Sequence, residues 1–376
     1  MYAMKTYVTK GMLALAVSTL LIISCKKEQS KDEQQQQAAE ESMLAEAKQA
    51  VNEKAAAVAK FEREYSSAAG FAAARSHNKN VLQVLEHPAF FKTFIAAVEK
   101  TGLHSTLSAA TLNATLFAPT DAAFAKLPAP LNNAANIAAI SDPELVNSLR
   151  NIILYHLQDT KKLRQQFAQG RSSAITLKPE ESQNDHLVYL SNSFGLLLLN
   201  GKSLVLLSNI NASNGVIHIV DDVLLPPVES LSQVVMTYPE YATLYSALIK
   251  AELFGQLTGP GNFTLFAPSN AAFAKLPVPF NTAANIDTIS DPAQVATLAK
   301  ILQYHICESR YFAWDLGHYN SIVTMAPALN NRVTGLMGLN RGWVRGNRNR
   351  YFSTIVPANR FTCNGVMHVI DQVLLQ

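Results

Sequence analysis

The chain has 376 residues, a formal net charge of +3, and 48% hydrophobic against 16% charged residues. That length suits about two domains, and that apolar share excludes a largely disordered chain. The near-balanced charge argues neither for nor against a polyanionic partner, so local clustering has to decide.

At the N-terminus, Lys5 and Lys10 precede an uncharged, mostly apolar run over residues 11–24, GMLALAVSTLLIIS. A bilayer crossing needs about 20 such residues, so this shorter run reads as a signal-peptide core. It ends in Ile22-Ile23-Ser24-Cys25, which resembles the bacterial lipobox, where the cysteine is acylated and becomes the mature N-terminus. Residues 1–24 are therefore expected to be a lipoprotein signal peptide and Cys25 the membrane anchor. The charged stretch after Cys25 resembles the export tethers of Bacteroidetes lipoproteins, so the outer membrane or cell surface is the expected location. No later stretch has the length and apolarity of a transmembrane helix.

Residues 25–76 read as a lipidated tether and an Ala/Glu-rich helix. Residues 26–41, KKEQSKDEQQQQAAEE, are polar and lack aromatics, a composition that buries too little surface to fold by itself. Residues 38–65 are rich in Ala, Glu and Lys without Gly or Pro, which predicts a helix. Leu44, Val51, Val58 and Tyr65 recur every seven residues, a coiled-coil period, with weak companions at Ala47, Lys54 and Phe61. Two outcomes are open: a stalk helix lying on the first domain, or self-association through this seam.

The rest of the chain is an internal repeat. Residues 115–157 align without gaps with 264–306, and 27 of the 43 positions are identical. A second block, NGVIHIVD from Asn214, matches NGVMHVID from Asn364. Each unit is thus a whole domain, expected over residues 77–227 and 228–376, with Pro226-Pro227 as a short, stiff linker. Within the repeat, Leu116-Phe117-Ala118 reads as a buried strand ended by Pro119. Thr120 and Asp121, or Ser269 and Asn270, are helix N-cap types. Asp142-Pro143 and Asp291-Pro292 each set a cap before a first-turn proline. The following helix carries Leu145, Leu149, Ile152 and Ile153 on one face. Asn214-Gly215 signals a hairpin before the strand 216–220.

These segments resemble the fasciclin domain. TLFAP[TS][DN]xAF stands at residues 115–124 and 264–273, the Tyr-His pair at Tyr155-His156 and Tyr304-His305, and the closing NGVIHVID-type segment from Asn214 and Asn364. The resemblance covers roughly residues 77–376. It implies an α+β fold, each domain a helical layer on a twisted β-wedge or sandwich, and roles in adhesion and matrix or surface binding without catalysis. The copies diverge between their Tyr-His and Asn-Gly segments, where ligand preference is expected to lie.

Four histidines recur: His156, His218, His305 and His368. They read either as core residues fixing backbone or as a metal pair in each copy; no carboxylate or cysteine recurs beside them at ligand spacing. The sequence holds no G-x-S-x-G, H-E-x-x-H, phosphate loop or C-x-x-C, so neither a catalytic site nor a cofactor is expected. Cys307 and Cys363 remain as an even pair in an exported chain, either a disulfide or two buried thiols. Arg332, Arg341, Arg345, Arg348, Arg350 and Arg360 lie in a stretch without Asp or Glu, interleaved with Trp343, Tyr351 and Phe352. This is either a solvated loop or a site for an acidic glycan or protein patch. Nucleic acid is a poor candidate outside the cytoplasm. Two functions follow: a surface adhesion module for a protein or glycan, or a structural envelope protein whose stalk and domains space or assemble.

Overall fold

The computed structural model describes residues 31–67, 78–86, 90–182, 184–327, 331–337 and 342–376. The signal peptide, Cys25 and Arg341 lie outside the described residues. Among these residues no helix is long and apolar enough to cross a membrane. The chain divides into two compact units: residues 52–181 with 186–226 in the first, and the helical residues up to Val51 with 182–185 and 227–376 in the second.

The first element is a 37-residue helix, Lys31–Ser67. It begins well inside the stretch expected to be an unfolded tether. Gln, Glu and Ala are good helix formers, and side chains four apart support one another: Gln36 Nε2 donates to Glu40 Oε1 at 3.2 Å and Gln37 Nε2 to Glu41 Oε1 at 3.1 Å. The heptad positions Leu44, Val51, Val58 and Tyr65 are all buried, with Ala47 and Ala50 beside them. Within the first unit, Tyr65 joins the helical core, and Phe61, Tyr65 and Phe90 meet with ring centroids 5.7–6.0 Å apart. The seven-residue stripe is therefore covered by its own chain rather than held out for a second helix. The second half of the helix lies on the first unit, as one of the two expected outcomes had it. Its first half, moreover, belongs to the second unit and not to the first.

In the first unit the strands are β1 (Ala114–Pro119), β2 (Leu157–Gln158), β3 (Gly170–Ile175), β4 (Leu187–Ser193), β5 (Leu196–Leu199), β6 (Ser203–Ala212) and β7 (Gly215–Val220), ordered β2-β1-β7-β6-β5-β4-β3. β1 and β7 are parallel; their other neighbours are antiparallel. Both strands of that pair are buried along their whole length, which explains their unbroken apolar runs. Alternation sorts their side chains. Leu116, Ala118, Ile217 and Ile219 join the helical core, with Leu149 and Ile153 of the helix Pro143–Tyr155. Phe117 and Val220 join a second cluster inside the sheet, with Tyr155, Val188, Leu190 and Leu199.

The second unit repeats this plan with β8 (Phe263–Pro268), β9 (Ile306–Cys307), β10 (His318–Val323), β11 (Arg332–Met337), β12 (Gly342–Arg345), β13 (Ser353–Ile355), β14 (Arg360–Thr362) and β15 (Gly365–Ile370). Its path is β10-β11-β12-β13-β15-β8-β9, with β14 also on β15. Leu265, Ala267, Met367 and Val369 face the helical core; Phe266, Tyr304, Cys307, Val344 and Ile370 form the cluster inside the sheet. The α+β reading, a helical layer on a curled sheet, holds for both units.

The hairpin before β7 sits one residue earlier than its Asn-Gly signal suggests. Ala212 pairs with Gly215 and Thr362 with Gly365, so the two-residue turns are Ser213-Asn214 and Cys363-Asn364. The glycines serve close approach: a Cβ on Gly215 would stand 2.6 Å from the Ala114 carbonyl oxygen, and one on Gly365 2.6 Å from Leu231 Cδ1.

The disulfide expectation fails. Cys307 and Cys363 are both buried thiols. Cys307 packs with Phe266 and Tyr304 inside the sheet, whereas Cys363 sits in the turn, its Sγ donating to the Pro227 carbonyl at 3.5 Å. Adjacency to repeated segments does not aim two side chains at each other, and a disulfide requires both Cβ vectors to converge.

Candidate binding surface

The repeated polar residues are held in matching hydrogen-bond sets. His156 donates from Nδ1 to the Ile152 carbonyl at 2.7 Å and accepts at Nε2 from the Leu224 amide at 2.9 Å. His305 does the same with Ile301 at 2.7 Å and Leu374 at 2.8 Å. His218 uses the opposite tautomer, donating from Nε2 to the Lys162 carbonyl at 3.0 Å and accepting at Nδ1 from the Asn209 amide at 3.3 Å. His368 repeats this with Tyr311 at 2.7 Å and Asn359 at 3.2 Å. Every ring nitrogen is engaged by backbone, which leaves none to ligate a metal. Burial lowers all four pKa values to about 4, so the rings are neutral at pH 7. Tyr155 and Tyr304 donate their hydroxyls to the Leu187 and Arg332 carbonyls at 2.6 and 2.5 Å.

The repeated [TS][DN] pair serves two different helices. Thr120 caps its own helix by accepting from the Ala123 amide, as Ser269 does from Ala272. Asp121 instead accepts at Oδ1 from the Thr93 amide at 2.7 Å, capping the helix Lys92–Lys100, and Asn270 accepts from Thr243 at 2.9 Å. Asp121→Ala should cost about 1 kcal/mol in a urea titration; a change within 0.3 kcal/mol would show that this cap is not used.

The arginine run is not one exposed strip. Trp343 is 4% exposed and offers no stacking face to a ligand, because β12 is buried along most of its length. Arg345 is half-buried, with Nη1 2.7 Å from Glu40 Oε1 and its guanidinium 4.5 Å from the Phe352 ring centroid. Arg360 pairs with Glu229 at 2.9 Å and lies over Tyr238. The acids absent from the run itself come from elsewhere in the second unit. At the surface remain Arg332, Arg348, Arg350 and Tyr351. Arg350 meets Asp32 at 2.7 Å while both side chains stay more than half exposed.

A profile of the Fasciclin domain matches residues 89–226 and again 239–376. The chain belongs to the fasciclin family. Transforming growth factor-beta-induced protein ig-h3 of Sus scrofa is 29% identical over 263 residues, covering 69% of this chain and 34% of that protein. Protein sll1483 of Synechocystis sp. is 33% identical over 141 residues, 36% of this chain and 67% of its own length. Fasciclin-1 of Schistocerca americana is 28% identical over 179 residues, 44% of this chain and 25% of that protein. The chain thus spans about a third of the ig-h3 length it matches. A solved FAS1 domain pair from the insect cell adhesion molecule fasciclin I aligns at 18% identity with a TM-score of 0.33, over 76% of this chain and 96% of that one.

Two fasciclin positions escaped the sequence reading. Asn209 and Asn359 both adopt left-handed backbone, with φ of 64° and 60°. Their Oδ1 atoms accept from the Arg164 and Ala313 amides at 2.7 and 2.6 Å, while their own amides reach the histidines. Asparagine tolerates this conformation better than most residues. The signal was present as an asparagine recurring at the same spacing before both Asn-Gly segments. The second is the side chain of Asn214 and Asn364, read only as a turn former. It is a buried clasp: Asn214 accepts from the Val81 amide at 2.9 Å and donates to the Leu107 and Ala109 carbonyls at 2.8 and 2.9 Å.

Proposed function

We propose that this fasciclin protein is a non-enzymatic adhesion or interaction lipoprotein, held at the cell surface through Cys25, that binds a protein or glycan partner. Fasciclin domains are known in cell adhesion proteins, which supports the general reading. The observation that carries it is the division of labour in the repeat. The side chains shared by the two copies at Tyr155, His156, Asn214 and His218, and at Tyr304, His305, Asn364 and His368, are buried on backbone groups, and the segments where the copies differ supply the chemistry that distinguishes them. Those segments are β3–β5 in the first unit and β10–β12 in the second, carried on the rigid β1–β7 and β8–β15 pairs. The alternative of an assembling stalk loses its main support, since the heptad seam is already covered.

The test uses residues 31–376, because removing the helix would uncover Tyr65 and its neighbours. Saturable retention of a discrete envelope or matrix protein, or of one glycan class on an array, supports the reading. Retention of nothing from either source overturns it. The anchor is tested separately: Cys25→Ser should move the protein from the membrane to the soluble fraction, and a mutant that stays membrane-bound removes the anchor.

A further inference from the structure

The N-terminal helix carries the chain that follows the anchor onto the second unit's arginine edge. Asp32 touches Arg350 at 2.7 Å and Glu40 touches Arg345 at 2.7 Å. Asp32 is seven residues after Cys25, and seven residues reach at most ~25 Å when fully extended. An acylated Cys25 therefore holds Arg350 close to the headgroup layer whatever path the tether takes.

The chemistry of that edge suits such a surface. Arg348, Arg350 and Tyr351 are exposed together at one turn of the second unit. Arginine forks bind phosphate bidentately, and a tyrosine with an apolar body and polar tip suits the headgroup boundary. The Arg350–Asp32 pair is no obstacle: its side chains are 57% and 62% exposed, and exposed pairs contribute little, so the fork is readily shared with a phosphate. Arg345, half-buried between Glu40 and Phe352, fixes the edge and is not part of the contact.

We infer that the turn bearing Arg348, Arg350 and Tyr351 in the second unit is a membrane-facing surface that contacts the anionic phosphates of the bilayer holding Cys25. This rests on the reading of Cys25 as the anchor, so the test supplies the anchor chemically. Residues 25–376 are coupled through the Cys25 thiol to maleimide-bearing lipid in phosphatidylcholine vesicles, with and without phosphatidylglycerol. Cys307 and Cys363 are buried and do not compete. Tyr351→Trp places an indole at the turn, and headgroup spin-labelled lipid reports its contact; Trp314 and Trp343, both buried, give a constant background.

The expected result is strong quenching on vesicles with phosphatidylglycerol, lost without it or in high salt. For uncoupled protein, Arg348→Ser and Arg350→Ser should each weaken partition to the anionic vesicles about fivefold. Absence of quenching on coupled anionic vesicles overturns the proposal. Quenching that persists in the double arginine variant also overturns it, because the turn would then be held near by the tether alone. Neither outcome depends on whether the cell acylates Cys25, which the Cys25→Ser fractionation decides by itself.

Discussion

Taking the protein from pH 6.5 down to pH 4 should remove about 5 kcal/mol of folding stability from the second fasciclin unit and less from the first. The cause is the pair of buried histidines in each: His156 and His218 in the first, His305 and His368 in the second, all lowered from 6.5 to about 4 by burial. The folded pKa lies below the unfolded one, so within this window the unfolded chain binds protons that the folded chain refuses. The contribution is complete above pH 6.5 and is lost as the pH falls towards 4. A shift of this size corresponds to about 3 kcal/mol per histidine. Protonation would require a ring nitrogen that accepts from the Leu224, Leu374, Asn209 or Asn359 amide to become a donor facing a donor. Asp221 and Glu62, raised by burial, act in the opposite direction, and both belong to the first unit, so its loss should be smaller than that of the second. Urea midpoints measured across pH 4–8 test this, with histidine C2 proton shifts as a second readout. A midpoint that stays flat between pH 6.5 and 5, or rings that titrate near 6.5, would refute it.

Asn364→Ala should destabilise the second unit by about 4 kcal/mol, and Asn214→Ala the first by a similar amount. Asn364 is fully buried and accepts from the Leu231 amide at 2.9 Å while donating to the Leu257 and Gly259 carbonyls at 2.8 and 3.0 Å. Alanine leaves one amide and two carbonyls without that partner, in a place where each has little access to water. The clasp ties the β14–β15 turn to the start of the helix Leu231–Thr237 and to the segment before β8, so its loss separates three pieces of backbone. Hydrogen exchange should localise the damage: amides of Leu231 and β15 lose protection in Asn364→Ala, and those of Val81 and β7 in Asn214→Ala. A loss under 1 kcal/mol in either variant would mean that water replaces the side chain without penalty.

The outcome of the arginine run shows where sequence reading stopped. Its lack of nearby acids was correct as a local statement, and an exposed cationic strip was a fair expectation from it. The acids that neutralise it, Asp32, Glu40 and Glu229, lie more than a hundred residues away in sequence. Nothing in spacing predicts that meeting. The helix Lys31–Ser67 is the same case from the other side. Its heptad stripe was legible, but a stripe says only that one face is buried, not by what. The thiols of Cys307 and Cys363 make the point at close range, since each borders a repeated segment and yet they point into different surroundings.

The sequence by itself determined the family, the two-domain repeat, the α+β architecture and the local devices that build it. Those are the Asp142-Pro143 and Asp291-Pro292 helix starts, the Thr120 and Ser269 caps, and the apolar strands at Leu116 and Leu265. Each depends on residues within a few positions of one another, where covalent geometry and periodicity leave few alternatives. Tertiary structure decided what those residues touch. It turned Asp121 to a helix 28 residues away and the Asn214 side chain to partners more than a hundred residues back. It gave all eight ring nitrogens of the four recurring histidines to backbone groups and paired Arg345 and Arg350 with the N-terminal helix. These choices follow from packing two layers against one another, which brings together groups whose separation along the chain carries no record of their distance in space.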